Sequence, residues 1–225
     1  MPHRLPLFPL GSVLFPGLTM PLHVFEDRYR RLMTDLLDLP ADEPRRFGIV
    51  GIELGHEVGE TSAHQLSEVG CIAEVHTVHR HDDGRFDVVV EGGGRFRVDA
   101  FVDADDEHPY LRAETTHLPD ELGADAEARA ERVGRLFALY CERLKGIGIP
   151  AEPPDEFPAE PLPLSYAVSA AMVLDQREKQ DLLEAEHASA RLELACDLLR
   201  RENRVLTSLP TLPAGQFMRR EVNLN

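Results

Sequence analysis

Short apolar runs separated by prolines open the chain and predict extended backbone. Pro6, Pro9, Pro16 and Pro21 divide the apolar residues between positions 5 and 24. Each proline fixes φ and lacks a backbone N–H, so a continuous helix cannot form across this stretch. The same interruptions exclude the unbroken apolar segment that a secretory signal or a membrane-spanning helix requires.

The period of the apolar pattern then changes. Between residues 26 and 38, apolar side chains recur at intervals of three and four, which places them on one face of a short amphipathic helix. These positions are Tyr29, Leu32, Met33, Leu36 and Leu37. Residues 47–54 form an apolar run rich in β-branched side chains, which predicts a buried strand.

A β-hairpin is predicted around Asp82-Asp83-Gly84. Strand patterns over residues 69–80 and 85–90 flank this turn, and its glycine tolerates the positive φ of a tight hairpin. Glycines 92–94 are expected to break the second strand, with a bulge or a close backbone approach, before it resumes at residues 95–101. A last strand is predicted over residues 110–117.

The rest of the chain predicts helices. Asp175, with Glu178 three positions later, is typical of a helix N-terminus. Helical periodicity covers residues 125–145, 164–174 and 188–202, and a short helix after Asp175 carries Leu182 and Leu183. Prolines make residues 150–163 a stiff connector. The sequence therefore predicts an α+β chain.

Its predicted organisation has three parts. These are a β domain over residues 1–118, a helical region over residues 119–206 and a tail over residues 207–225.

The net charge and the cysteines indicate which partners and which cellular compartment to expect. The net charge of −16 at pH 7 argues against nucleic-acid binding, which relies on clustered Lys and Arg. Cys71, Cys141 and Cys196 are far apart and lie within apolar patterns, which favours reduced, buried thiols in the cytoplasm.

Catalytic motifs are missing from the sequence. It contains no Gly-Lys dipeptide for a phosphate-binding loop and no Gly-x-Ser-x-Gly nucleophile motif. A Ser-Lys dyad needs a lysine in a pocket, whereas Lys145 falls at a helix end and Lys179 falls in a charged stretch. No catalytic residue is predicted.

Histidines around the hairpin turn raise a metal-binding hypothesis. His76, His79 and His81 precede Asp82 and Asp83. Residues three apart on a strand project to opposite faces, so His76 and His79 cannot share an ion without a distortion. An exposed polar hairpin is favoured over a metal site, and both interpretations stay open.

The combination of motifs resembles the N-terminal substrate-binding domain of the ATP-dependent Lon protease. The opening Leu-Pro-Leu-Phe-Pro-Leu, followed by Val-Leu-Phe-Pro-Gly and Pro-Leu-His-Val-Phe-Glu-Asp-Arg-Tyr, is similar to the start of that domain. Phe47-Gly-Ile-Val, Val69-Gly-Cys-Ile-Ala-Glu-Val and the segment from Asp83 to Val98 resemble its central β segments. The stretch from Asp175 to Leu192 resembles its helical end.

The resemblance implies a fold and a class of function. The implied fold is a PUA-like β pseudobarrel with an inserted short helix, followed by a C-terminal α-helical bundle. In the full protease the ATPase and Ser-Lys peptidase modules come after this region. Because this chain ends at Asn225 with neither module, we expect a non-catalytic binding module rather than an enzyme.

The expected ligand is an unfolded polypeptide segment or a protein partner, in the context of proteolysis or protein quality control. Neither a cofactor nor a metal is expected, and neither are nucleic-acid or membrane partners. A monomer or weak homodimer is the predicted state.

Aromatic and arginine side chains are the candidate binding residues, because such side chains supply most hot-spot energy at interfaces. They are Phe15, Phe25, Arg28, Tyr29 and Arg95. For each of them taken alone, a place in the core or in a structural ion pair is favoured over a binding role, since burying one Phe contributes roughly 1.5–3 kcal/mol.

The sequence is also compatible with two alternative functions. One is a metal- or small-ligand-binding protein that uses the hairpin from His76 to Asp83. The other is an adaptor that docks on a separate ATP-dependent protease.

Overall fold

The proline-broken opening folds into two short strands, β1 (Leu5–Leu10) and β2 (Thr19–Val24), as the sequence predicts. The structure is a computed structural model that describes residues 4–53, 65–149 and 157–208. Pro21 lies in β2, which among the described strands pairs with β5 alone and so forms an edge of the sheet. An edge strand tolerates a residue that cannot donate a backbone hydrogen bond.

Four longer strands complete the sheet. They are β3 (Arg46–Glu53), β4 (Gln65–Arg80), β5 (Phe86–Val102) and β6 (Arg112–Leu118). The strand order is β2-β5-β4-β3-β1-β6, and β6 also pairs with β5. Strands β5, β4, β3, β1 and β6 therefore form a closed ring. The β1–β3 pairing is parallel and the others are antiparallel.

The hairpin turn is confirmed. Gly84 has a φ of +81°, and its N–H donates to the carbonyl oxygen of His81 at 2.9 Å. Arg30, from the preceding helix, donates from Nε to the carbonyl oxygen of Gly84 at 2.8 Å. A helix side chain thus fixes the tip of the hairpin.

The expected break at the glycine cluster is wrong, because β5 runs continuously through it. The register against β4 shifts between Cys71 and Ala73, so a bulge occurs as predicted. A Cβ atom on Gly92 would lie 2.1 Å from the carbonyl oxygen of Phe15. The glycine is therefore required by a close backbone approach and not by the end of a strand.

The inserted helix α1 (Asp27–Leu37) buries the predicted face. Its buried residues are Tyr29, Leu32, Met33 and Leu36, and Leu37 is half-buried. The Tyr29 ring stacks on Phe8 of β1, with 4.2 Å between centroids. Helix and sheet thereby share one apolar cluster.

Helices follow the strands. They are α2 (Ala126–Gly146), α3 (Pro161–Ala171), α4 (Gln176–Glu184) and α5 (Ala188–Ser208). Helix α3 begins three residues earlier than predicted, because a proline in the first turn lacks only an N–H that has no intrahelical partner there. The Asp175 carboxylate accepts a hydrogen bond from the Glu178 N–H at 2.8 Å, as predicted.

Two of the predicted segments lie partly outside the described residues. These are the connector over residues 150–163, of which residues 157–163 are described, and the tail over residues 207–225, which is described only to Ser208. Within the described residues the fold is α+β, with a mixed sheet and five helices. None of these helices combines the length and apolar character needed to cross a membrane.

The opening segment links the sheet to the helices. Val13 and Phe15, between β1 and β2, belong to the apolar cluster formed mainly by α2, α3, α4 and α5. Gly17 donates its N–H to the Gly92 carbonyl oxygen at 2.7 Å, which ties this segment to β5. The first residues of the chain thus pack into the core of the last helices.

Candidate functional site

Two buried arginines, Arg95 and Arg191, form the arginine cluster at the junction of sheet and helices. Arg95 on β5 is only 2% exposed. Its Nη1 donates to the carbonyl oxygens of Leu183 and Ala185, at 2.9 and 2.7 Å. Because the last carbonyls of a helix lack intrahelical partners, Arg95 caps the C-terminal end of α4 from the sheet.

Arg191 on α5 also donates to the C-terminal end of α4. Its Nε donates to the Leu182 carbonyl oxygen at 2.8 Å, and its guanidinium lies 4.0 Å from the Tyr166 ring centroid. Burial lowers the pKa of Arg191 to about 10. The Tyr166 hydroxyl donates to Asp120 at 2.5 Å, and Asp120 lies 3.4 Å from Nε of Arg95. The cluster therefore fixes the position of α4.

A groove of about 550 Å³ lies beside α4, where this helix packs on β3 and β4. We call it the α4 groove. It is lined by Ile52, Ser67, Asp175, Gln176, Arg177, Gln180, Asp181 and Glu184. The lining is mostly polar, with Ile52 as its large apolar member.

Two glutamines of α4 bridge the groove to the strands. Gln176 donates from Nε2 to the Ile52 carbonyl oxygen at 3.1 Å. Gln180 donates from Nε2 to the Val69 carbonyl oxygen at 2.9 Å and to Glu184 at 2.8 Å. Its Oε1 is buried and has no hydrogen-bond partner among the described residues. A buried acceptor of this kind favours a ligand that donates a hydrogen bond.

The charge of the α4 groove is predominantly negative. Of the described residues, three carboxylates line it, from Asp175, Asp181 and Glu184, against the one guanidinium of Arg177. A peptide segment offers main-chain N–H donors to amide and carboxylate oxygens, and basic side chains complement the carboxylates. The arrangement suits an extended, basic polypeptide segment.

Three of the five candidate residues from the sequence lie in the interior. Phe15 is 1% exposed and Tyr29 is 5% exposed, and each packs in an apolar cluster. Arg95 belongs to the arginine cluster. The structure gives these three side chains a packing role, because none of them presents a surface to a partner.

The other two candidates are on the surface. Phe25 is 61% exposed and its ring lies 6.1 Å from that of His23. Arg28 is exposed, forms an ion pair with Glu26 at 2.8 Å and lies 4.6 Å from the centroid of the Tyr29 ring. A binding role for Phe25 and Arg28 stays a prediction.

The hairpin histidines separate into two groups. His76 pairs with Glu91, with 2.8 Å between Nε2 and Oε2. His81 pairs with Asp87 at 2.7 Å, and His23 of β2 reaches the same carboxylate at 2.6 Å. We call His23, His81 and Asp87 the histidine site. Sequence reasoning missed two of its members, since His23 is brought beside Asp87 only by the β2–β5 register.

The three cysteines are buried and free, as the sequence predicts. Burial raises the pKa of the thiols of Cys71, Cys141 and Cys196. Nucleophilic chemistry requires a thiolate, so these thiols are suited to packing.

The family follows from comparison with known proteins. A family model described as the ATP-dependent protease La (LON) substrate-binding domain matches residues 4–201. The chain belongs to this family. The resemblance inferred from the motifs is therefore confirmed.

Two Lon proteases are similar to this chain over most of its length. Lon protease 2 of Sorangium cellulosum is 31% identical over 212 residues, covering 89% of this chain and 25% of that protein. Lon protease of Anaeromyxobacter dehalogenans is 30% identical over 210 residues, covering 92% of this chain and 24% of that protein. The chain thus spans about a quarter of the length of these relatives.

Solved Lon N-terminal domains share the fold. A Lon N-terminal domain protein from Xanthomonas campestris matches with a TM-score of 0.59 and 23% identity, covering 92% of this chain and 99% of that one. The N-terminal domain of the Mycobacterium avium complex Lon protease matches with a TM-score of 0.66 and 20% identity, covering 88% and 98%. At these identities the matches establish the fold.

Proposed function

We propose that this chain recognises unfolded polypeptide segments for a proteolytic system, without cleaving them, and that it binds them in the α4 groove. Membership of the Lon substrate-binding family supports the class of function. The buried Oε1 of Gln180, which has no hydrogen-bond partner among the described residues, carries the location, because it is an acceptor that a peptide N–H would satisfy.

The rigidity of the surroundings supports the same location. The arginine cluster holds the C-terminal end of α4, and Gln176 ties its first turn to β3. Because the residues of the groove are already held in place, they lose little conformational entropy when a peptide binds. Less of the favourable interaction energy is then offset, and the affinity is higher.

The fold and organisation of this module form part of the proposal. We assign the closed ring of strands to the PUA-like pseudobarrel class and the later helices to a helical bundle. The ring closure through the β5–β6 pairing supports the first assignment. The proposed division is residues 1–118 and 119–206, and the module acts as a monomer or weak homodimer. Three free, buried thiols support a reducing compartment such as the cytoplasm.

The test is fluorescence anisotropy with two labelled peptides of equal length and apolar content, one basic and one acidic. The basic peptide is expected to bind more tightly. The double variant Asp181→Asn, Glu184→Gln should weaken its binding about three- to tenfold, because two carboxylates facing the ligand are neutralised.

The matched control is Glu127→Gln, Glu131→Gln, which removes the same charge from exposed positions of α2. Its affinity should remain within about twofold of that of the unchanged chain, since screened charges distant from the groove contribute little. Equal losses in the two double variants would reject the α4 groove. No binding of either peptide would reject polypeptide recognition itself.

A further inference from the structure

The histidine site brings three metal-ligating groups together from three different segments. His23 lies on β2, Asp87 lies on β5, and His81 directly follows β4. One ligand atom from each residue lies within 4.8 Å of the others. These groups lie outside the α4 groove and have no part in the function proposed above.

Both histidines are within hydrogen-bonding distance of Asp87, slightly closer than the ligands of a bound ion would be. His23 Nδ1 lies 2.6 Å from Asp87 Oδ1, and His81 Nε2 lies 2.7 Å from Asp87 Oδ2. Around a tetrahedral zinc ion with bonds of about 2.0–2.1 Å, neighbouring ligand atoms are about 3.3 Å apart. Small outward rotations of the side chains would create that separation while the strands stay in place.

The donor set selects the class of ion. Two imidazole nitrogens and one carboxylate match the preferences of zinc and neighbouring divalent transition metals, whereas Mg²⁺ and Ca²⁺ take mainly oxygen ligands. We propose that His23, His81 and Asp87 bind a single divalent transition-metal ion of the zinc class, with the remaining position open to the solvent.

The backbone around the site is fixed in advance. Arg85 donates from its backbone N–H and from Nε to the Asp83 carboxylate, at 3.1 and 2.7 Å. Arg30 holds the Gly84 carbonyl oxygen from α1. The turn that carries His81 is thus stabilised from two sides, and a site on fixed elements binds metal with less rearrangement.

His79 provides a further imidazole beside the site. Its ring lies 4.8 Å from the ring of His81, and it faces Asp87 in the β4–β5 register. In a regular strand, His76 and His79 would project to opposite faces. The register shift between Val75 and Thr77 changes this alternation, and both histidines are exposed.

The test uses the whole chain, freed of metal with EDTA and titrated with zinc chloride in a calorimeter. We expect saturable uptake of a single zinc ion per chain. His23→Ala and Asp87→Asn should each weaken zinc binding by more than about tenfold, because losing even an outer-shell partner commonly costs 10- to 100-fold. Magnesium chloride in a parallel titration should give no saturable heat.

The matched control is His76→Ala. His76 also contacts a carboxylate, that of Glu91, on the same hairpin, but it is not part of the histidine site. Its zinc affinity should stay within about twofold of that of the unchanged chain. No saturable zinc uptake by the unchanged chain would overturn the proposal. Equal losses in His76→Ala and His23→Ala would also overturn it.

The absorption spectrum of bound Co²⁺ is a second measurement, and it reports the coordination geometry of the metal. Co²⁺ should give the visible absorption band of a low-coordinate nitrogen and oxygen site in the unchanged chain and in His76→Ala. The band should disappear in Asp87→Asn. A band of unchanged intensity in Asp87→Asn would contradict the assignment. Circular dichroism of each variant verifies that these exposed substitutions leave the fold intact.

Discussion

The arginine cluster and the histidine site place charged side chains in opposite environments. Arg95 and Arg191 are almost completely buried, and they donate to backbone carbonyl oxygens at the end of α4. The residues of the histidine site contact one another at the surface, where His23 and Asp87 are about half exposed. Burial therefore decides what each group can do.

The two environments suit these side chains to different roles. Buried side chains stabilise the fold, and exposed side chains can bind a ligand. In the arginine cluster nearly every N–H donor is hydrogen-bonded within the protein. Removing a guanidinium would leave buried carbonyl groups without a hydrogen bond, which lowers the free energy of unfolding. At the surface, water replaces a lost partner at little cost. Surface groups are thus available for ligands, whereas the buried groups keep the walls of the α4 groove in place.

Among changes to the arginine cluster and to surface ion pairs, the largest effect is expected from Arg191→Met, which keeps much of the side-chain volume but removes the donors. We expect the free energy of unfolding to fall by about 3 kcal/mol, since each unsatisfied buried acceptor costs about 1–3 kcal/mol. Urea denaturation measures it. Arg85→Met is the matched control, because its ion pair with Asp83 is exposed and is worth at most about 1 kcal/mol. A similar loss of stability in Arg191→Met and Arg85→Met would contradict the difference expected between buried and exposed arginines.

A glycine pair tests the link between the sheet and the helices. Gly92→Ala places a Cβ atom against the Phe15 carbonyl oxygen, so we expect a loss of about 1–3 kcal/mol, as for other overpacked sites. Gly134→Ala meets nothing within 4 Å on helix α2 and should stabilise the fold by about 0.5–1 kcal/mol. Thermal unfolding compares the two, and a Gly92→Ala variant as stable as the unchanged chain would refute the close approach.

Alkaline pH probes the buried tyrosines. Burial raises the pKa of Tyr29, Tyr110, Tyr140 and Tyr166. In the unfolded chain they ionise near pH 10, so the folded state binds more protons above that value and its stability falls as the pH rises. Absorbance of tyrosinate should increase together with the loss of circular dichroism. Ionisation well before unfolding would show that the tyrosines are accessible.

The smallest effect is expected from Phe25→Ala. Its side chain is mostly in water, so the free energy of unfolding should change by less than about 0.5 kcal/mol. Phe8→Ala, which removes the ring that stacks on Tyr29, is the contrasting variant and should cost about 3–5 kcal/mol. A large loss of stability for Phe25→Ala would mean that the ring is part of the core.

Local patterns predicted the elements but not the sites. The period of the apolar residues located α1, and Asp83-Gly84 located the hairpin, because both depend on neighbouring residues. The β5–β6 pairing that closes the ring joins distant segments, and no local pattern specifies such a register.

The candidate sites depend on the same long-range pairing. Gln180 resembles any polar helix residue in the sequence, and only the approach of Val69 shows that its amide is buried. His23 lies 64 positions from Asp87, and the strand register brings them into contact. Conversely, Phe15 and Arg95 are of the residue types that are common at binding hot spots, but they are buried at the junction of sheet and helices.

Hydrogen–deuterium exchange, with and without the basic peptide, tests polypeptide binding in the α4 groove most directly. We predict that the bound peptide slows exchange in α4 and in the start of β4, around Ser67, and leaves the hairpin at Gly84 unchanged. Slowed exchange confined to the hairpin or to α2, at a peptide concentration that saturates binding, would contradict the account.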